Sequence, residues 1–256
     1  MKKIILFALF FSPILLIAEE ADLTGAQILN KIDDNKVVIE AISTSTMIIH
    51  SRSGTREIKS RSWVKGKNKV FTEYLSPKRE KGKKMLRVGD KLWNYTPFPS
   101  DRIITISGHL LRQSIMGSDL SYEDFMQNEK LIDQYDAKII GEEKMEVPDL
   151  NKTLVGTILK LKLTAKKDNV SYHSRLLWVN KEKWLPIKEE LYAKSGKLLK
   201  TIKIEEVMKV DDRFYPQKIV FKDELGKGKG TVWIVESIKF NQKIPDYKFT
   251  KAALKK

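Results

Sequence analysis

Three histidines (His50, His109 and His173) and the carboxylates of one stretch, SIMGSDLSYEDF (114–125), are the side chains of this sequence best suited to proton transfer or metal binding. Their spacing argues against both. The histidines stand far apart and form no HExxH or other close ligand pair, so a zinc site would need assembly from distant parts of the chain. IMGSDL lacks the second glycine of a nucleophile elbow. GKGKG at 226–230 leads into strand-type sequence and lacks the Walker spacing, so it reads as a hairpin turn whose lysines could touch an anionic headgroup. There is no cysteine, which excludes thiolate nucleophiles, thiolate metal sites, disulfides and a lipidated N-terminal cysteine. The sequence therefore predicts no catalytic residue, no metal and no cofactor.

The acids of 114–125 have structural work instead. Ser121 followed by Asp124 is a capping box, and Leu120 and Phe125 occupy the two staple positions, so LSYEDFM reads as a helix start. Asp119, Glu123 and Asp124 have no histidine or second acid at a defined spacing. Just upstream, Leu110, Leu111, Ile115 and Met116 fit a short amphipathic helix that Gly117 ends in a left-handed conformation. The stretch is predicted to be a helix–glycine–helix hinge.

The elements around it are mostly strands. Thr24 and Gln27 form a second capping box, with Leu23 and Ile28 as staple, opening a short helix that carries Ile28, Leu29 and Ile32 on one face. A long strand region follows. SRSWVKGKNKVFTEYL turns near Gly66, KKMLRVGDKLWNY turns at Gly89–Asp90, and DRIITI comes after Pro97 and Pro99. In the second half, Val155, Leu159, Leu161 and Leu163 alternate with Lys160 and Lys162, the pattern of a strand with one wet face. Further runs (SRLLWVN, WLPIKEELYA, LLKTIKIEEV, YPQKIVFKDE and GTVWIVESIKF) are separated by short turns. That order means an antiparallel meander rather than a parallel sheet with crossover helices. In TVWIVESIKF, the alternation puts Val232, Ile234, Ile238 and Phe240 on one face and Trp233 and Val235 on the other. A sheet with one wet side needs no such arrangement, so a helix, a second sheet or a ligand must cover the second face.

The N-terminus, MKKIILFALFFSPILLIAEE, has a basic start, an apolar run and the small residue Ala18 before an acidic pair. That is a secretory signal over residues 1–18, leaving residues 19–256 as one exported, periplasmic domain. The net charge is +15, or two fewer without Lys2 and Lys3. Export turns this basic excess away from nucleic acid and toward an anionic membrane surface or lipid phosphates. A simply solvated lysine-rich surface fits the composition equally well.

LWNYTPFPSDRIITISGHLLRQSIMGSDLSYEDF (92–125) resembles the signature of the LolA-like outer-membrane lipoprotein-sorting proteins, most closely the group that accompanies export pumps of the resistance-nodulation-division type. The matching positions are Trp93, Tyr95, Pro97, Arg102–Ile103 and Met116 to Asp124. ILNKIDDN and IPDYKFT are similar too. Thr96 departs from the aliphatic residue expected there, and the lysine content is unusually high. The resemblance implies an α+β, mainly β fold: an incomplete, strongly curved antiparallel β-barrel with short helices as a lid over an apolar cavity. It implies a non-catalytic carrier of lipid or lipoprotein acyl chains, with transient contact to inner-membrane export machinery and an outer-membrane acceptor. A sensor, regulatory or pump-docking module on the same scaffold is the alternative.

The residues expected to line that cavity and lid are Trp63, Phe71, Trp93, Tyr95, Ile104, Leu110, Leu111, Ile115, Met116 and Phe125. Trp178, Trp184 and Trp233 are candidates from the second group of strands. Met116 and Met126 would suit varied chains. For each of these side chains taken singly, ordinary core packing is the competing reading.

Overall fold

The computed structural model describes residues 23–35, 40–51, 54–127 and 129–256. The expected signal segment, 1–18, lies outside them. Helix α1 (Gly25–Asn35) opens on the expected box: the Thr24 amide donates to Gln27 Oε1 at 2.8 Å, and the Gln27 amide donates back to Thr24 Oγ1 at 3.3 Å.

Thirteen strands follow in two meanders. The first is β1 (Glu40–Ser51), β2 (Gly54–Lys65), β3 (Lys69–Ser76), β4 (Lys84–Val88), β5 (Lys91–Thr96) and β6 (Arg102–Ile106). The second is β7 (Tyr135–Asp149), β8 (Lys152–Ala165), β9 (Ser174–Asn180), β10 (Leu185–Tyr192), β11 (Leu198–Val210), β12 (Arg213–Asp223) and β13 (Gly230–Phe240). Antiparallel pairing of β1 with β13 joins the two into one sheet, ordered β6-β5-β4-β3-β2-β1-β13-β12-β11-β10-β9-β8-β7. The turns fall where the glycines predict: Gly66 and Gly89 have φ of 60° and 58°, values that favour glycine.

The sheet curls but does not close, leaving β6 and β7 as edges. Register shifts interrupt the pairings β1–β13, β2–β3, β7–β8, β9–β10, β10–β11 and β11–β12, and bulges of this kind bend a strand and increase its twist. Curling brings β7 against β11, although three strands separate them in the sheet.

The chain must pass from the edge β6 to the opposite edge β7, and residues 107–127 and 129–134 lie along that path across the concave face. They contain a 3₁₀ turn (Gly108–Arg112), a second turn (Ile115–Gly117), α2 (Tyr122–Met126) and α3 (Leu131–Gln134). One upstream amphipathic helix ending at Gly117 is not what forms. Gln113 and Ser114 are extended, with ψ of 149° and 138°, and separate the two turns, while Met116 (φ 54°) and Gly117 (φ 75°) are left-handed and end the second.

A bulge also corrects the two faces of β13. Ser45 pairs with Val235 and Thr44 with Ser237, leaving Glu236 as the extra residue. Beyond it the alternation inverts, so Ile238, opposite Ser43, joins Trp233 and Val235 on the concave face rather than Val232 and Ile234. What covers the outer face of the first strands is the C-terminus. Ile244, Phe249, Ala253 and Leu254 pack on Phe71, Leu86 and Tyr95, flanked by Ile42, Trp63, Trp93 and Ile103.

Candidate functional site

The concave face is filled at both ends and hollow in the middle. At one end α1 seats Ile28, Leu29 and Ile32 on Tyr135, Leu159, Leu161, Leu163 and Leu177, all buried. Asp33 of α1 accepts from the amides of Leu131 and Ile132 at 3.0 and 3.1 Å, tying α1 to the start of α3. At the other end Leu110, Leu111, Tyr122, Phe125 and Met126 pack on Met85, Leu92 and Ile106. Between them lies an apolar hollow of about 440 Å³.

Small side chains create this space. Ser43 and Ser45 of β1, Ser60 and Ser62 of β2 and Thr72 of β3 form its floor, side by side in register. A filled sheet interior would carry branched aliphatics at these positions. The Ser62 and Thr72 hydroxyls satisfy one another at 2.9 Å. Met47, Ile58, Tyr74, Phe221, Trp233 and Val235 form the apolar walls, and Ile115, Leu120 and Phe125 the roof. Burial pushes the Tyr74 and Tyr215 phenols up, as a dry lining requires.

The roof is held by the MGSDLSYED motif. The capping box forms: Ser121 Oγ accepts from the Asp124 amide at 3.1 Å, and Asp124 Oδ2 accepts from the Ser121 amide at 2.8 Å. Asp124 also reaches across to the sheet, where it pairs with Lys200 of β11 and accepts from the Tyr172 hydroxyl at 2.6 Å. Burial disfavours its charge. The Lys200 ammonium, with hydrogen bonds from Lys200, Tyr172 and Ser121, outweighs burial and holds the carboxyl below the usual carboxylate range. Asp119 makes a second tie, accepting from the Asp223 amide at 3.0 Å and from Thr231 Oγ1 at 2.6 Å. Arg56 Nη2 donates to the Met116 carbonyl at 2.8 Å, and Asn94 Nδ2 to the Tyr122 hydroxyl at 2.6 Å. These acids therefore cap and latch, and with Arg56 and Asn94 the roof is tied to five strands, β2, β5, β11, β12 and β13.

Beside this apolar space, and sharing Ser43, Val64, Phe125, Gln127, Arg175 and Tyr215 with it, is a second hollow of about 500 Å³. Arg87, Gln127 and Arg175 line it. Arg87 is 3% exposed and, among the described residues, donates only to backbone carbonyls, Gly89 at 3.2 Å and Phe125 at 3.3 Å. Burial lowers its pKa, partly offset by the Asp90 charge.

The residues expected at the cavity divide. Ile115 and Phe125 face the hollow. Leu110 and Leu111, in the lid's first turn, pack on Met85, Leu92 and Ile106, and Met116 packs by Met47, Ile58 and Tyr74. Ile104 stands exposed on the edge strand β6. Trp63, Phe71, Trp93 and Tyr95 occupy the opposite face, under the C-terminus. Their register explains it: Trp63, Phe71, Leu86 and Trp93 lie opposite one another, one residue out of phase with Ser62 and Thr72. Of the later tryptophans, Trp233 lines the hollow, Trp178 lies between Lys160 and Lys188, and Trp184 lies under Lys31. The signal for the floor is present in the sequence as STST (43–46) and SRS (60–62), hydroxyl residues at every second position of strands.

Among the described residues, no helix is long and apolar enough to cross a membrane. The sequence matches, over residues 66–256, a family model described only as "-like: Uncharacterized protein". A search of curated proteins returns no match. Solved structures share the fold. A DUF1329 family protein from Desulfovibrio piger ATCC 29098 superposes with TM-score 0.79 at 22% identity, over 90% of this chain and 98% of its own. A crystal structure described as a putative outer membrane lipoprotein-sorting protein domain from Vibrio parahaemolyticus gives TM-score 0.75 at 22% identity, over 91% and 98%. A LolA superfamily protein from Nitrosomonas europaea gives 0.70 at 24% identity, over 91% and 100%.

Proposed function

We propose that the chain, a member of the family whose model matches residues 66–256 with the fold of LolA superfamily and lipoprotein-sorting structures, is a non-catalytic periplasmic carrier of the LolA-like kind whose hollow shelters acyl chains of lipids or lipoproteins between membranes. The observation that carries this reading is the apolar space of about 440 Å³ between a serine-floored sheet and a latched lid. It is about three times the ~150 Å³ of an engineered apolar cavity that takes up benzene. Each methylene moved into it gains ~0.8 kcal/mol, so a sixteen-carbon chain gains on the order of 10 kcal/mol. Opening the lid and ordering the chain subtract from that, leaving binding reversible enough for hand-off.

In this reading residues 1–18 direct export and are removed, and 19–256 fold as one domain. The group accompanying export pumps, an inner-membrane donor and an outer-membrane acceptor complete the proposal, with the lysine-rich surface suited to approaching anionic membranes.

Native mass spectrometry of the protein purified from the periplasm, before and after organic extraction, tests it. A carrier retains extractable lipid masses, and the emptied protein takes up fatty acid and gives it to vesicles. A protein that holds no lipid, takes up none and keeps a stable protein partner would instead be the regulatory module.

A further inference from the structure

Three buried side-chain atoms lack a hydrogen-bond partner among the described residues: Arg87 Nη2, Gln127 Nε2 and Arg175 Nε. All three side chains line the same hollow, the one that opens beside the apolar space under the lid. All three atoms are donors. Gln127 cannot escape by flipping its amide, because its Oε1 already accepts from Arg175 Nη2 at 2.8 Å. A buried donor left unpaired costs about 1–3 kcal/mol, so three at one wall favour an acceptor there.

Asp33, Asp124, Glu129 and Glu189 line this hollow with Lys67, Arg87, Lys130 and Arg175, so the signs balance in number but not in pairing. Arg175 has Glu189 at 3.7 Å and lies against the rings of Tyr135 and Tyr172. Asp124 is committed to Lys200 and Asp33 to the α3 amides. Arg87, almost wholly buried, has two neutral carbonyls as its partners. A group made only of acceptors and carrying negative charge would complete this wall.

We propose that the hollow is polarised: Arg87, Gln127 and Arg175 receive the anionic headgroup, a carboxylate or a phosphate, of an amphiphile whose hydrocarbon chain lies in the adjoining apolar space. This rests on the reading of the apolar space as a chain-binding site. The headgroup end then fixes the direction in which a chain enters. The lid carbonyl of Phe125, bonded to Arg87, places the headgroup beside the segment that must move to admit it.

The test uses three probes with the same sixteen-carbon chain: hexadecanol, palmitate and hexadecyl phosphate. Each is offered below its micelle concentration to displace the neutral dye N-phenyl-1-naphthylamine from the purified protein. At least one anionic probe should displace the dye at about ten-fold lower concentration than hexadecanol. The stronger of palmitate and hexadecyl phosphate identifies the headgroup. Arg87→Gln should bring that ratio close to one, and Arg87→Lys should restore part of it. Should Arg87→Gln fail to fold, Gln127→Leu and the three-probe comparison on the unaltered protein still decide. Equal displacement by all three probes overturns the headgroup site and leaves the chain site standing. So does an Arg87→Gln protein weakened equally toward every probe. If neither dye nor hexadecanol binds, the chain site itself fails.

Discussion

Ser45 and Ser60 face one another on the floor of the hollow, and replacing both with leucine should raise stability while weakening binding. Each exchange puts three carbons where one hydroxyl oxygen stood. If the six carbons displace about four methylenes of a bound chain, at ~0.8 kcal/mol each, binding weakens by about 3 kcal/mol, or on the order of 100-fold. The protein itself gains from burying the two leucines against Met47, Ile58 and Trp233. A net 1–2 kcal/mol is a modest share of the ~1.5–3 kcal/mol available per buried leucine. In a chain of this size that raises Tm by about 2–8 °C. The opposite signs are the diagnostic. In a close-packed core the same exchange overpacks and costs about 1–3 kcal/mol. Fatty-acid titration with differential scanning fluorimetry reads both quantities. A fall in Tm with unchanged fatty-acid affinity would refute the existence of a space above these serines.

The latch gives further expectations. Asp124→Asn leaves the Lys200 ammonium buried and unpaired, at a cost of about 3–5 kcal/mol. Urea unfolding and faster hydrogen exchange across 115–127 should report it, and adding Lys200→Met should recover most of the loss. Because the folded carboxyl of Asp124 sits below its unfolded pKa of ~3.9, its contribution is complete above about pH 4. It disappears as pH falls through the folded value, so urea midpoints between pH 2 and 6 should show a slope that Asp124→Asn flattens. On the outer face, Leu254→Ala should cost about 2–5 kcal/mol and red-shift tryptophan emission from Trp63 and Trp93, without changing fatty-acid affinity.

Local signals in the sequence carried far. The two capping boxes at Thr24 and Ser121 and the glycine turns at Gly66 and Gly89 form as their spacing requires. The alternation of Leu159, Leu161 and Leu163 with lysines gives a strand with one buried face. What stayed hidden depends on partners distant in sequence. Pairing of β1 with β13 joins residues nearly two hundred positions apart. The bulge at Glu236 inverts the faces of Ile238 and Phe240 with no local mark in the sequence. Asp119 and Asp124 read as caps because their second partners, Thr231, Lys200 and Tyr172, lie elsewhere in the chain. Large apolar side chains suggest a cavity lining, whereas a space is made by what is small. Trp63, Phe71, Trp93 and Tyr95 went to the face the C-terminus covers, and Ser43, Ser45, Ser60 and Ser62 to the hollow.

Photolabelling with a fatty acid that carries a diazirine near its chain end, followed by peptide mass spectrometry, tests most directly whether a chain occupies this space. Labels should fall on Met47, Tyr74, Phe125 and Trp233, and unlabelled palmitate should compete them away. Labels confined to the outer face around Trp63, Phe71 and Leu254, or no competable label at all, would contradict it.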